Sequence, residues 1–343
     1  METIEINTTE GRSLILIGSD WKSVTSLIPV RNTVIITDRN VKDLYGDYFP
    51  NCQVITIDPG EKSKSLPTIS GIVEELLKAG TDREGFILGI GGGVVCDIAG
   101  FTASVYMRGI RFGFVSTTLL SQVDASTGGK NGVNSLTAKN TIGVFNNPEF
   151  VVCDPEMLAT LSDEEYRSGM SELVKAALIR DEELLGLIEA NCDRIIARDP
   201  VIMEQLIFRA VSIKAEIVEA DMHEKGERRL LNFGHTLGHA AELEYGITHG
   251  QAVAWGMAKA IEYSVERNHL SSAYYNRIMS LFIKLDLMPA VAIDNEIVAG
   301  RIVYDKKRSG KDINYVFLEK PGKAFTSKVG IEELTRFVMK KKN

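Results

Sequence analysis

The chain has 343 residues, 44% apolar and 25% charged, a composition ordinary for a globular protein and long enough for two domains that each bury a core. A formal net charge of −7 argues against a nucleic-acid partner, because binding a phosphate backbone needs clustered excess positive charge. The amino terminus, METIEINTTEGRSLILIG, has no basic segment, and its apolar run is too short to cross or enter a bilayer, so a cytoplasmic protein without membrane contact is expected.

Over residues 1–155 short β-branched runs alternate with amphipathic helical stretches: SLILIG, TVIITD, QVITID, GFILGIGGG, FGFVSTT and FVVCD. This alternation predicts a Rossmann-like α/β domain built on a parallel sheet with crossover helices. Four cysteines, Cys52, Cys96, Cys153 and Cys192, show no CxxC pairing and read as reduced thiols rather than zinc or redox ligands. After GFILGI comes Gly91-Gly92-Gly93, then a helical pattern containing Asp97. A strand, a glycine turn and a helix start in that order suit a dinucleotide pyrophosphate, which needs close backbone approach and N–H groups. The Rossmann fingerprint itself is imperfect, since Val94 stands at its third glycine position. Thr117 and Thr118 follow the next strand and could bind phosphate or cap a helix.

From Ser162 onward the texture changes to long periodic segments such as DEEYRSGMSELVKAALI and QAVAWGMAKAIEYSVERN, which predict a mostly α-helical domain over residues 156–343. No Gly-, Pro- or Ser-rich linker separates the halves, so a cleft shared between them is expected. Three of the five histidines, His235, His239 and His249, fall within LNFGHTLGHAAELEYGITHG. Imidazoles with one carboxylate are the ligand set of a catalytic zinc site. His235 and His239 would share a helix face, which leaves open whether both are ligands or one contacts substrate. The carboxylate candidate is Glu172 in SELVK, although Glu172 and Lys175 could equally be a surface ion pair.

Cations and amides also cluster along this acidic chain. Lys130 and Asn131 follow a Gly-Gly pair, Lys139 and Asn140 precede TIGVF, and Lys214 falls on a helix. Glu224, Arg228 and Asn232 run into the histidines at four-residue spacing, one face of a helix if that stretch is helical. Arg, Asn and His together can hold an oxyanion through directed hydrogen bonds.

The motifs GGGVVCDIAGF, YMRGI, STTLLSQVDAS-GGKNGVN, KNTIG-F, SELVK, LNFGHTLGHA and HGQAVAWGM stand in one order across nearly the whole chain, and in this the sequence resembles the 3-dehydroquinate synthase family of sugar phosphate cyclases. The stretch DASTGGKNGVN departs from the family's usual form at Ala125 and Thr127. The resemblance implies an NAD domain followed by a metal domain in which Glu172, His235 and His249 hold zinc or cobalt. It places NAD against Asp38, Glu61, Lys64, Gly91, Gly92, Gly93, Asp97, Thr117, Thr118, Asp124, Lys139 and Thr160. It assigns Lys130, Asn140, Lys175, Lys214, Arg228, Asn232, His239, Arg108 and Lys306 or Lys307 to the substrate. It also implies a homodimer acting on a small sugar phosphate: 3-deoxy-D-arabino-heptulosonate 7-phosphate would be closed to 3-dehydroquinate. A metal-dependent polyol dehydrogenase, another sugar phosphate cyclase and a ligand-binding regulator without turnover are the competing expectations.

Overall fold

The structure, a computed structural model, describes residues 1–136, 138–309 and 312–340, of which 303–309 are described by their backbone alone. Residues Met1–Leu161 and Met203–His223 form one compact unit, and Ser162–Ile202 with Glu224–Asn343 form the other. The first division falls between Leu161 and Ser162. Helical periodicity in the sequence gives no sign that residues 203–223 belong with the first unit, because a helix that passes from one unit to another after its first residues keeps its period.

The first unit is built on a seven-stranded sheet. Its elements are β1 (Glu2–Thr8), β2 (Gly11–Ile17), β3 (Thr33–Asp38), α1 (Arg39–Tyr45), β4 (Gln53–Ile57), α2 (Leu66–Lys78), β5 (Phe86–Gly91), α3 (Gly93–Val105), β6 (Arg111–Ser116), the hairpin β7 (Lys130–Val133) and β8 (Ile142–Phe145), and β9 (Phe150–Cys153). The sheet order is β1-β2-β9-β6-β5-β3-β4, with β1 antiparallel to β2 and every other pairing parallel. All six runs read as strands from the sequence are these parallel strands. Every residue of β5 and β9 is buried, as expected when both sheet faces are covered. On one face Trp21, Ile35, Phe86, Leu88, Val115 and Val152 share a hydrophobic core.

The order of the strands positions a ligand site. From β3 the chain moves outward to β4, then returns past β3 to β5 and continues the other way through β6. Strands β3 and β5 are neighbours, with Thr37 opposite Ile90, so the sheet's switch point lies between their carboxyl ends. Crevices at such points are where open α/β sheets hold ligands.

The second unit contains α4 (Asp163–Arg180), α5 (Glu182–Ala190) and α6 (Cys192–Ile196), then, after α7 (Pro200–Ala220), which ends in the first unit, α8 (His235–Tyr245), α9 (His249–Glu266), α10 (Ser272–Lys284) and α11 (Asn295–Ser309). A hairpin of β10 (Asp312–Lys320) and β11 (Lys323–Gly330) and a last helix, α12 (Ile331–Met339), complete it. The hairpin stands in a unit that is otherwise helical, as the sequence predicts. It turns at Pro321-Gly322, where Gly322 takes φ +77°, and packs Phe317 against Tyr263 of α9. No described helix is long and apolar enough to cross a membrane.

Candidate active site

In the first unit the glycine turn closes β5 and opens α3 at the switch point. Gly92 is the N-cap of α3, and no side chain caps the helix there, so its first N–H groups face outward for an anion. The glycines are also required by the protein's own packing. A Cβ on Gly91 would stand 2.5 Å from Val95, and one on Gly92 would stand 2.8 Å from Thr118. Asp38 ends β3 beside this turn and caps α1 by accepting from the Val41 N–H at 3.0 Å. Thr118 spends its hydroxyl on Ser121, 3.0 Å away, and Thr117 is buried.

Around the next turn of α3, Asp97 pairs with Lys64 at 2.5 Å, and Lys64 also donates to Asn140 Oδ1 at 2.5 Å. Burial pushes the Asp97 carboxyl up to about 6 even though Lys64 works against it. Glu61 opens the turn that carries Lys64 and lies 4.0 Å from its ammonium. Lys214, 8% exposed, forms an ion pair with Asp124; it reaches Asp124 because the second half of α7 belongs to this unit. The structure therefore gathers Glu61, Lys64, Asp97 and Asn140 in one network and Asp124 with Lys214 in another. Lys130 and Lys139 are exposed on the β7–β8 hairpin. Thr160 meets the Tyr45 hydroxyl at 2.7 Å. Arg108 is exposed, with φ +69°, just before β6 and so at the opposite edge of the sheet from the glycine turn.

In the second unit three helices converge on Glu172. It lies in the middle of α4 and is 2% exposed; Lys175, one turn on and 3% exposed, forms an ion pair with its Oε2. This pair belongs to the interior, not the surface. Oε1 of Glu172 lies 3.4 Å from His235 Nε2 and 3.2 Å from His249 Nε2. His235 is the first residue of α8 and His249 the first of α9, so two helix starts present the two imidazoles. Each ring is held from behind: His235 Nδ1 by the Phe233 carbonyl at 3.2 Å, His249 Nδ1 by Glu242 Oε2 at 3.3 Å.

The electrostatics follow from these neighbours. Burial acts to raise the Glu172 carboxyl, but Lys175, His235 and His249 outweigh it and hold the group well below the usual range. Burial, seconded by Lys175, brings His235 down to about 3, leaving its imidazole neutral. Burial would lower His249 too, yet hydrogen bonds to Glu172 and Glu242 carry it up to about 9. One ionised carboxylate oxygen and two imidazole nitrogens lie within 4.8 Å of one another. Ligands about 2.0–2.1 Å from a tetrahedral zinc ion are separated from each other by about 3.3 Å. The observed 3.2 and 3.4 Å match that edge, so the residues fit a divalent ion of this kind.

His239, one turn along α8, is not part of this trio; its side chain groups with Glu242 and His249. Glu242 was not singled out in the sequence, where its signal was only its place on the same helix face, three residues after His239. Arg228 is 2% exposed. The segment bearing it is a 3-10 stretch, Glu227–Asn232, and not the α-helix that would have put Glu224, Arg228 and Asn232 on one face; Asn232 nevertheless donates to Glu224 Oε1. The side chains of Lys306 and Lys307 lie outside the described residues.

Comparison with known proteins agrees with this geometry. Residues 54–168 match the family model "3-dehydroquinate synthase N-terminal" and residues 169–308 match "3-dehydroquinate synthase C-terminal". A 3-dehydroquinate synthase of Acinetobacter baylyi is 36% identical over 345 residues, covering 96% of this chain and 95% of its own. One of Koribacter versatilis is 42% identical over 256 residues, 74% of this chain and 70% of its own. Among solved structures, a 2-deoxy-scyllo-inosose synthase complexed with carbaglucose-6-phosphate, NAD+ and Co2+ aligns with TM-score 0.88 at 25% identity, covering 98% of this chain and 99% of that one. A 2-epi-5-epi-valiolone synthase of Streptomyces hygroscopicus with NAD+ and Zn2+ bound aligns with TM-score 0.85 at 26% identity, covering 95% of each. A probable glycerol dehydrogenase of Sinorhizobium meliloti, at 14% identity and TM-score 0.68 over 98% of this chain and 97% of its own, shares the fold. With an uncapped helix start at the sheet's switch point in one unit and a carboxylate–imidazole trio in the other, both on residues that these matches span, the chain belongs to the 3-dehydroquinate synthase family.

Proposed function

We propose that this chain is an NAD- and divalent-metal-dependent 3-dehydroquinate synthase that converts 3-deoxy-D-arabino-heptulosonate 7-phosphate to 3-dehydroquinate and phosphate. The observation that carries the reading is the convergence of Glu172 Oε1 with His235 Nε2 and His249 Nε2 in a chain of this family. When bound, NAD+ supplies a reversible hydride acceptor and the divalent ion supplies Lewis acidity. Glu172 and the two histidines would hold the ion. The outward N–H groups at Gly92–Gly93, with Asp38, Lys64 and Asp97, would hold the dinucleotide.

The substrate carries a carboxylate at one end and a phosphate at the other. Two anions taken out of water need two sets of donors, or desolvation costs several kcal/mol each. Lys175 and Arg228, both nearly fully buried, with Asn232 and His239 following Arg228 in sequence, supply charged and directional donors of that kind. Lys130, Asn140 and Lys214 complete the proposed substrate set, and Arg108, at the far end of the sheet from the glycine turn, is left out of it. Phosphate elimination and the closing aldol step then demand mainly a substrate fixed in one conformer, which is what several buried donors provide.

Changing His249 to Ala tests the metal part of the reading. Bound metal and turnover are expected to disappear while the far-UV spectrum and melting temperature stay near normal, because the trio is a small part of a large core. Normal metal content and turnover in that variant would overturn the assignment.

A further inference from the structure

Asn134 immediately follows β7, and both its main chain and its side chain are committed. Its N–H donates to the Lys64 carbonyl at 2.9 Å, and a parallel bridge joins it to Ser65. Its side-chain Oδ1 accepts from the Asn140 N–H at 2.8 Å, and its Nδ2 donates to Glu61 Oε1 at 2.8 Å. Asn140 in turn accepts from Lys64, whose ammonium lies 4.0 Å from Glu61. These four residues therefore form a closed ring, through the Asn140 main-chain N–H and the side chains of all four, with Asp97 attached through Lys64.

The ring has two chemical consequences. Asn140 sits at φ +54°, a left-handed conformation that a non-glycine residue keeps only where its surroundings hold it. The bond from Asn140 N–H to Asn134 supplies that hold. And because Lys64 occupies Asn140 Oδ1, it is the Nδ2 donor of that amide that remains to serve an acceptor on a ligand. Only an asparagine at 134 serves both neighbours: aspartate lacks the donor and would set a second carboxylate against Glu61, and serine is too short to bridge them.

We propose that Asn134 is a positioning residue that fastens the β7–β8 loop to the Glu61–Lys64 turn, so that the dinucleotide-side and substrate-side groups are set as one unit. The proposal rests on the functional reading above, which gives Glu61, Lys64 and Asp97 to the cofactor and Asn140 to the substrate. A shared ring of this kind makes binding on either side favour the other, and the coupling is reciprocal.

The test exchanges donor and acceptor. Asn134→Asp in the otherwise unaltered protein should raise the NAD+ dissociation constant and the substrate KM roughly tenfold each, with kcat changed by less than about threefold. In a Glu61→Gln background the glutamine can donate to Asp at 134, and the same change should cost less than about twofold. Equal losses in both backgrounds would overturn the proposal. An independent arm needs no turnover: in Asn134→Ala the Asn140 amide should exchange with solvent about tenfold faster in ligand-free protein, while the melting temperature holds. Unchanged exchange sinks the ring whatever the activity. If the unaltered protein binds no NAD+, the functional reading fails, and the exchange measurement alone decides the role of Asn134.

Discussion

A carboxylate as enclosed as Glu172 would ordinarily bind a proton. It is ionised here because one cation and two imidazoles face its two oxygens, and that same arrangement suits it to a divalent ion. The residue types of the trio were readable in the sequence, and the family motifs selected among them. Glu242 was not, because its role depends on α8 and the start of α9 being neighbours. Ligating histidines are commonly oriented through their second nitrogen, and losing that partner typically weakens metal binding 10–100-fold. Glu242→Gln is therefore expected to lower the affinity for zinc or cobalt by about that factor, measured by competition with a chelator, and unchanged affinity would contradict the geometry. Asp97 gives a prediction in pH. Its folded value is about 6 against 3.8 for the free side chain, so between these limits the folded protein keeps a proton that the unfolded chain has lost. The stability this contributes, on the order of 3 kcal/mol at 1.4 per unit, is fully present below about pH 4 and is lost as pH rises through about 6. A carbon-13 titration of the Asp97 carboxyl should have its midpoint near 6, and a midpoint near 4 would refute the burial argument.

Among the elements, the helices of the second unit are brought together by missing side chains. A Cβ on Gly256 of α9 would lie 1.9 Å from the Gly234 carbonyl oxygen at the head of α8, and one on Gly250 would lie 2.2 Å from Ser168 Cα in α4. Backbone thus meets backbone, and His235, His249 and Glu172 converge as a result. A capping box at Thr248 and Gln251 fixes where α9 begins, and with it the position of His249. Gly256→Ala should force α8 and α9 apart; an overpacked site of this kind costs about 1–3 kcal/mol or more. The expected result is a lower melting temperature together with reduced metal content, and a variant with normal values for both would show that the close approach is dispensable. The sequence displayed these glycines inside LNFGHTLGHA and HGQAVAWGM without their reason, since a helix–helix contact has no local pattern. The six parallel strands were legible because β-branched runs bounded by turns leave little choice of structure. The β10–β11 hairpin is signalled only by its Pro321-Gly322 turn, in a half whose helical periodicity dominates. The four-residue spacing of Glu224, Arg228 and Asn232 suits an α-helix, and nothing local in the sequence announces the tighter 3-10 stretch that bears Arg228.

For the whole molecule, the net charge of −7 gives no hint of the cations that the interior holds. Lys64, Lys175, Lys214 and Arg228 are all buried, a set of cations far too expensive to keep for stability alone and well suited to anionic ligands. On the proposed function these cations, the cofactor turn and the metal trio run a cyclisation in which NAD+ is regenerated at each turnover. The direct measurement follows released phosphate and NADH absorbance simultaneously, with 3-deoxy-D-arabino-heptulosonate 7-phosphate as substrate and NAD+ at a small fraction of its concentration. Phosphate should accumulate through many turnovers per NAD+ with no lasting rise in NADH; NADH formed in step with substrate consumed, without phosphate, would contradict the account and make the protein a dehydrogenase.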